Sequence, residues 1–437
     1  MDIEAQQKIG AEEKSPRKTA RNKPERPSTA FLDGLRGIAA LCVFHQHLLG
    51  DNGQSNEYAS YERYGIIRAA FLRLIYQGGP AAVAIFFVLS GFVLSQSALS
   101  TIGLAQWKQC RLQLLAAIVR RPVRLYLPCI AVALIIALLM RLPHNVYPDA
   151  LWYNRQDTFW HEMKHFVKHS VDFFNPFQGF KCRITIITTL SCGQFLPIPK
   201  PYAAGALISV ALVLLYKALW WQACFIAGVA IALIHSDTSG GSPTSWRSRV
   251  WVRSCLAYVV FGGGFYLLSQ PADDGHQDIS AQTTGWSFLT SLIPSNYDGA
   301  NYYRFWQSCG AALCVLSLLY TGFLQTILCL RPIQFLGKVS FMLYIVHMPL
   351  FMCVGDRWRR ALGNTPYMSE PKWWDSVLLV PEHGPGGIQL RWLVEWTSIL
   401  ALVLFTAHLG TSYIDEPSVR LSKRLADSVG LGRKKAT

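Results

Sequence analysis

The stretch Leu32–His47 sets Asp33, Arg36, His45 and His47 inside an otherwise apolar run of span length. An ionisable side chain in a span costs ~2.5–3.5 kcal/mol on insertion scales, so its retention points to function. Arg36 and His47 are eleven residues apart, which at about 100° per residue puts them within about 20° of one helix face. A rise of about 1.5 Å per residue separates them by roughly 16 Å, half the hydrocarbon thickness. Asp33 falls about 40° from that face on the other side, and His45 points the opposite way. One face therefore offers a guanidinium near the membrane surface and an imidazole near mid-depth. The guanidinium can hold an anion, and the imidazole can take a proton near neutral pH. Blander roles stand beside these: His47 as a polar link between helices, Arg36 snorkelling to the interface, Asp33 as a helix cap.

Other polar groups lie in comparable places. Ser90 and Ser95 flank Gly91 in a second apolar run, where small residues allow close helix approach. Arg120, Arg121 and Arg124 stand at the entrance of a third, either to meet an anionic ligand or to anchor the span at the cytosolic face. Tyr344 and His347, three apart, share one face of a late apolar run. His161, His165 and His169 share a helix face but lack the spacing of a metalloprotease motif, so an interfacial amphipathic helix is expected there.

The elements that must position these residues are membrane spans. The chain has 437 residues, 51% hydrophobic and 15% charged, against about 25% charged in soluble domains. Mean hydropathy is +0.24. Nine spans are expected, at 31–50, 79–99, 125–142, 203–218, 219–236, 250–268, 307–328, 333–354 and 390–412. Basic segments before the first span, between the second and third, and after the last put both termini in the cytosol, which needs an even count. Residues 282–296 are the candidate for a tenth span, or for a re-entrant segment. The expected fold is thus all-α, a polytopic transmembrane helical bundle of about ten spans. Residues 1–28 read as a disordered basic cytosolic tail, 29–425 as the membrane domain with a non-cytosolic loop at about 143–200, and 426–437 as a basic cytosolic tail. The net charge of +15 fits anchoring on anionic lipid, and no nucleic-acid partner is expected. No pair among the eleven cysteines has zinc spacing, so they read as small apolar residues and no metal centre is expected.

Five segments, in order, resemble the acyltransferase 3 family of integral membrane O-acyltransferases in its fungal form. They are Leu32-Asp-Gly-Leu-Arg-Gly with His47, Phe86-Phe-Val-Leu-Ser-Gly, Arg120-Arg-Pro-Val-Arg, Phe335–Pro349 with its Tyr344 and His347, and Asp415-Glu-Pro-Ser-Val-Arg-Leu. The resemblance covers about 30 to 425. It implies acyl transfer, with acetyl expected, from cytosolic acyl-CoA as co-substrate to a hydroxyl of a carbohydrate, polyol or secondary metabolite. No tightly bound cofactor is implied. In that chemistry His47 would be the base, Arg36 would pair with the donor's phosphates or orient His47, and Asp33 would hold Arg36. Arg120, Arg121 and Arg124 would receive CoA, while Ser90, Tyr344 and His347 would line the cavity. One segment departs from the family. Where a Leu-Trp-Thr-Ile-Pro-like run is expected, the chain has Leu190-Ser-Cys-Gly-Gln-Phe-Leu. Permitted codons for Ser191–Pro197, shifted by one nucleotide, spell the expected run, so 181–200 reads as frameshifted or mis-joined. An inactive, decayed member and a membrane transporter are the competing readings.

Overall fold

The computed structural model describes residues 29–50, 71–103, 107–139, 141–142, 156–174, 200–238, 247–271, 277–297, 299, 301–365, 370–385 and 389–431. The tail expected at 1–28 and the departing segment up to residue 199 lie outside them. Every regular element among the described residues is helical.

Helix α1 (Ala30–Gly50) is the organising element. It packs against α3 (Gly79–Gly103) and α13 (Arg331–Leu350), with α2 (Arg73–Gln77) following it. Its apolar side chains Phe31, Leu32, Ala40, Val43 and Phe44 are all buried: Phe31 and Leu32 feed one core cluster, Ala40 and Phe44 a second, and Val43 a third. A helix apolar on most of its surface belongs inside the bundle, and α1 occupies that place. Helix α4 (Trp107–Leu139) is longer than the span expected at 125–142: it begins eighteen residues earlier, carrying Arg111 to Arg124 on its first half. Helix α5 (Phe159–Phe174) supplies the amphipathic helix expected in the long loop. There His165 and His169 bring their Nε2 atoms to 2.9 Å.

Helices α6 (Lys200–Tyr216) and α7 (Trp220–Thr238) form a hairpin. Gly91 and Gly228 let α3 and α7 cross in backbone contact: a Cβ on Gly91 would strike the Phe225 carbonyl, and one on Gly228 the Val88 carbonyl. Helix α8 (Arg247–Leu268) packs on α11 (Arg304–Leu318) through Gly264 and Gly310 in the same manner. Between them, α9 (Gln277–Gln282) and α10 (Ser287–Ser291) are short, and Trp286 is fully buried. Residues 282–296 therefore form no span. A five-residue helix rises about 7.5 Å, a quarter of the hydrocarbon thickness. The span expected at 307–328 is also not straight: α11 and α12 (Gly322–Leu328) meet at a 100° bend.

Among the described residues, five helices are long and apolar enough to cross a membrane, six if the bent pair counts as one, and α6 and α7 are shorter apolar helices. The described residues form an all-helical body whose long apolar helices are those of an integral membrane protein. Two π turns interrupt the last long helices. Phe351–Gly355 joins α13 to α14 (Asp356–Ala361), and Thr411–Asp415 joins α15 (Leu390–Gly410) to α16 (Glu416–Ser428). Each lies two residues from a proline, Pro349 or Pro417, whose missing N–H breaks the regular ladder. The C-terminal tail expected from residue 426 begins inside α16, whose Ser418, Ser422 and Ala426 are buried on the side that meets α4.

Candidate active site

Register between α1 and α13 builds the site. A Cβ on Gly37 would strike the backbone of Gly337, and one on Gly337 would strike the Asp33 carbonyl. Backbones this close are the small-residue packing of membrane helices. Gln334 fastens the same end, its Nε2 donating to the carbonyls of Ala30 and Leu328, both at 2.8 Å. Ten residues beyond each of these glycines stands a histidine, His47 on α1 and His347 on α13. Equal rises of about 15 Å bring both to one level. Their ring centroids are 5.2 Å apart.

His347 is buried, and its Nδ1 lies 3.1 Å from the Leu343 carbonyl oxygen. A carbonyl only accepts, so Nδ1 is the donor in that bond. Tyr344 and Phe351 flank His347, with ring centroids 5.9 Å away in each case. Phe44 closes the side behind Phe351 at 5.3 Å. The Tyr344 ring also meets the edge of Phe86 on α3. His45 stands apart, buried and stacked on Trp396 of α15 at 5.6 Å and 12°.

The other end of α1 gathers charge. Arg36 Nη1 donates to Asp33 Oδ1 at 3.3 Å on adjacent turns, with both side chains partly or wholly exposed. The charges of Arg36 and Arg124 both act on Asp415, in the π turn after α15. Asp415 Oδ1 is buried with no hydrogen-bond partner among the described residues. Lys338 and Glu416 pair beside it at 3.2 Å. Arg120 spends its Nε on the Ala116 carbonyl of its own helix, and Arg121 is exposed.

Of the residues singled out in the sequence, the fold thus gathers His47, His347 and Tyr344 at one level. It gathers Arg36, Asp33 and Arg124 at another. Ser90 is exposed on α3, and Gly91 beside it makes the close helix contact. Phe351 was not singled out, and Asp415 stood only at the head of a family-like segment with no role at the site. Both depend on the π turns, which carry no sequence periodicity of their own, although the nearby prolines are a usable signal.

The arrangement suits an anion held at one end and a proton moved at the other. A profile of the acyltransferase 3 family, described as an acyltransferase domain, matches residues 29–409. The O-acetyltransferase PaAT-1 of Phomopsis amygdali is 24% identical over 91% of this chain and 84% of its own length. The acyltransferase clz18 of Cochliobolus lunatus is 23% identical over 76% of this chain and 84% of its own. No solved structure matches the chain. With the profile running through both histidines, Arg36 and the arginines of α4, the chain belongs to the acyltransferase 3 family and is a transferase.

Proposed function

We propose that the protein moves an acyl group, acetyl, from acyl-CoA to a hydroxyl of a carbohydrate, polyol or secondary metabolite. The observation that carries this reading is the approach of His47 and His347 across the α1–α13 contact. The acetyl choice leans on the O-acetyltransferase relative. His47 takes the acceptor hydroxyl's proton as its oxygen attacks the thioester carbonyl carbon. The C–S bond breaks and the proton passes to the leaving CoA sulfur. Base catalysis of this kind contributes ~10²–10⁴-fold. His347 lies beside His47, its Nδ1 donating to the Leu343 carbonyl, and it would orient His47 or share the proton.

Arg36, held by Asp33, would pair with the donor's phosphates together with Arg120, Arg121 and Arg124, with Ser90 and Tyr344 toward the substrate cavity. This end carries Arg120, Arg121 and Arg124 on α4 and Arg420, Lys423 and Arg424 on α16, the bias of a cytosolic face. Both termini would be cytosolic and the histidines nearer the opposite leaflet. The test is thiol release from acetyl-CoA by the purified chain with a panel of sugar and polyol acceptors. Acceptor-dependent release that His47→Ala lowers by two or more orders of magnitude is expected. Release unchanged in a folded His47→Ala variant overturns the assignment.

A further inference from the structure

We infer that the loop Lys372–Val380 is an interfacial anchor, seated in the bilayer surface on the side of the two histidines. The inference rests on the chain being an integral membrane protein. The loop is held rigidly. Arg360 of α14 is buried, and its Nε and Nη2 donate to the two carboxylate oxygens of Asp375 at 2.7 and 2.8 Å. Nη2 also reaches the Glu370 carbonyl at 2.7 Å. Three backbone N–H groups of the loop, from Ser376, Leu378 and Val380, donate to the carbonyls of Arg360, Ala361 and Leu362. Arg391 then donates to the carbonyls of Val380 and Gly363, at 2.8 and 3.1 Å. Arg359 pairs with the buried Glu395 of α15 at 2.9 Å.

This scaffold turns apolar side chains outward. Trp373 is 78% exposed, Val377 63% and Leu379 64%, with Leu378 also exposed. A frame fastened by a two-pronged ion pair and presenting a cluster of large apolar groups implies something apolar against it. Its level in the fold names the occupant. The Arg391 bonds fix the loop beside the first turn of α15, where that span emerges. There Trp392 and Leu393 are themselves exposed, so the loop continues the lipid-facing surface of the span. Tryptophan flanked by aliphatic residues at a span end is the composition of the membrane interface.

The test places a photoreactive phenylalanine analogue at Trp373 or at Val377 in the full-length chain, in phosphatidylcholine nanodiscs. The same analogue at Val259, exposed midway along α8, reports whether the bundle sits in lipid at all. The expected result is a phospholipid adduct at all three positions, with the yield at Val377 falling several-fold in an Asp375→Asn background. An adduct at Val259 with none at Trp373 or Val377 overturns the anchor and leaves the membrane reading intact. Crosslinking of the loop to a second copy, or to another segment of the chain, also overturns it. No adduct at any of the three positions overturns the membrane reading itself.

Discussion

At the scale of single residues, the site is a pair of histidines from two helices and a pair of arginines from two helices. The pairs answer to different kinetic parameters. His347→Gln removes the ring that lies beside His47 while keeping a side chain of similar polarity. A fall in kcat of roughly 10²–10⁴-fold is expected if the pair moves the acceptor's proton, with KM for acetyl-CoA nearly unchanged. Arg36→Gln should do the opposite. It removes a charged hydrogen bond worth about 1.5–3 kcal/mol, so KM for acetyl-CoA should rise roughly ten- to hundred-fold while kcat moves little. Initial-rate measurements of thiol release across donor concentrations separate the two. A common effect of both variants on kcat alone would break the division between a donor end and a chemical end.

At the scale of elements, the glycine contact between α1 and α13 decides whether the histidines meet. Gly337 has no room for a side chain, because its Cβ would strike the Asp33 carbonyl. Gly337→Val should therefore spread the two helices, costing about 1–3 kcal/mol as overpacking does. Activity should fall further than stability, since the rings sit about 15 Å beyond the contact and a small splay grows along the helix. Gly205 on α6 is the control. Nothing lies within 4 Å of a Cβ placed there, so Gly205→Ala should leave activity intact and stabilise by up to about 1 kcal/mol through helix propensity. Thermal midpoints and thiol release on both variants check this. Equal losses in the two would sink the register argument.

At the scale of the whole molecule, α14 holds the following loop by charge, and this tie responds to pH. The hydrogen bonds from Arg360 hold the Asp375 carboxyl below its ordinary value. A carboxyl whose value is depressed on folding contributes stability above the unfolded value, near 3.9. That contribution is lost as pH falls through the lower folded value. The loop should therefore stay closed at neutral and mildly acid pH and open only below about pH 4. Acid-tolerant pepsin should cut within 370–385 increasingly below that point, and Asp375→Asn should show fast cutting at every pH. Cutting of the native chain that rises already near pH 6 would point to a histidine instead of Asp375.

The sequence by itself determined the class of the molecule. Apolar runs set the helices and basic flanks set their ends, because both follow from local composition and the cost of charge in hydrocarbon. It also gave the face shared by Arg36 and His47, since eleven residues on one helix is a question of period alone. Two segments take a course that hydropathy does not show. Residues 282–296 are apolar enough to suggest a span, but Trp286 spends its area inside the protein, stacked on Tyr266. Residues 307–328 are apolar on average, yet Thr321 and Gly322 allow a 100° bend that hydropathy does not register. Only tertiary structure could bring His347 to His47 or Asp415 to Arg36 and Arg124. These residues are about 300 to 380 positions apart in the chain. Their meeting depends on backbone contact at Gly37 and Gly337 and on a π turn at Thr411–Asp415, features set by how helices pack and not by the pattern along any one of them.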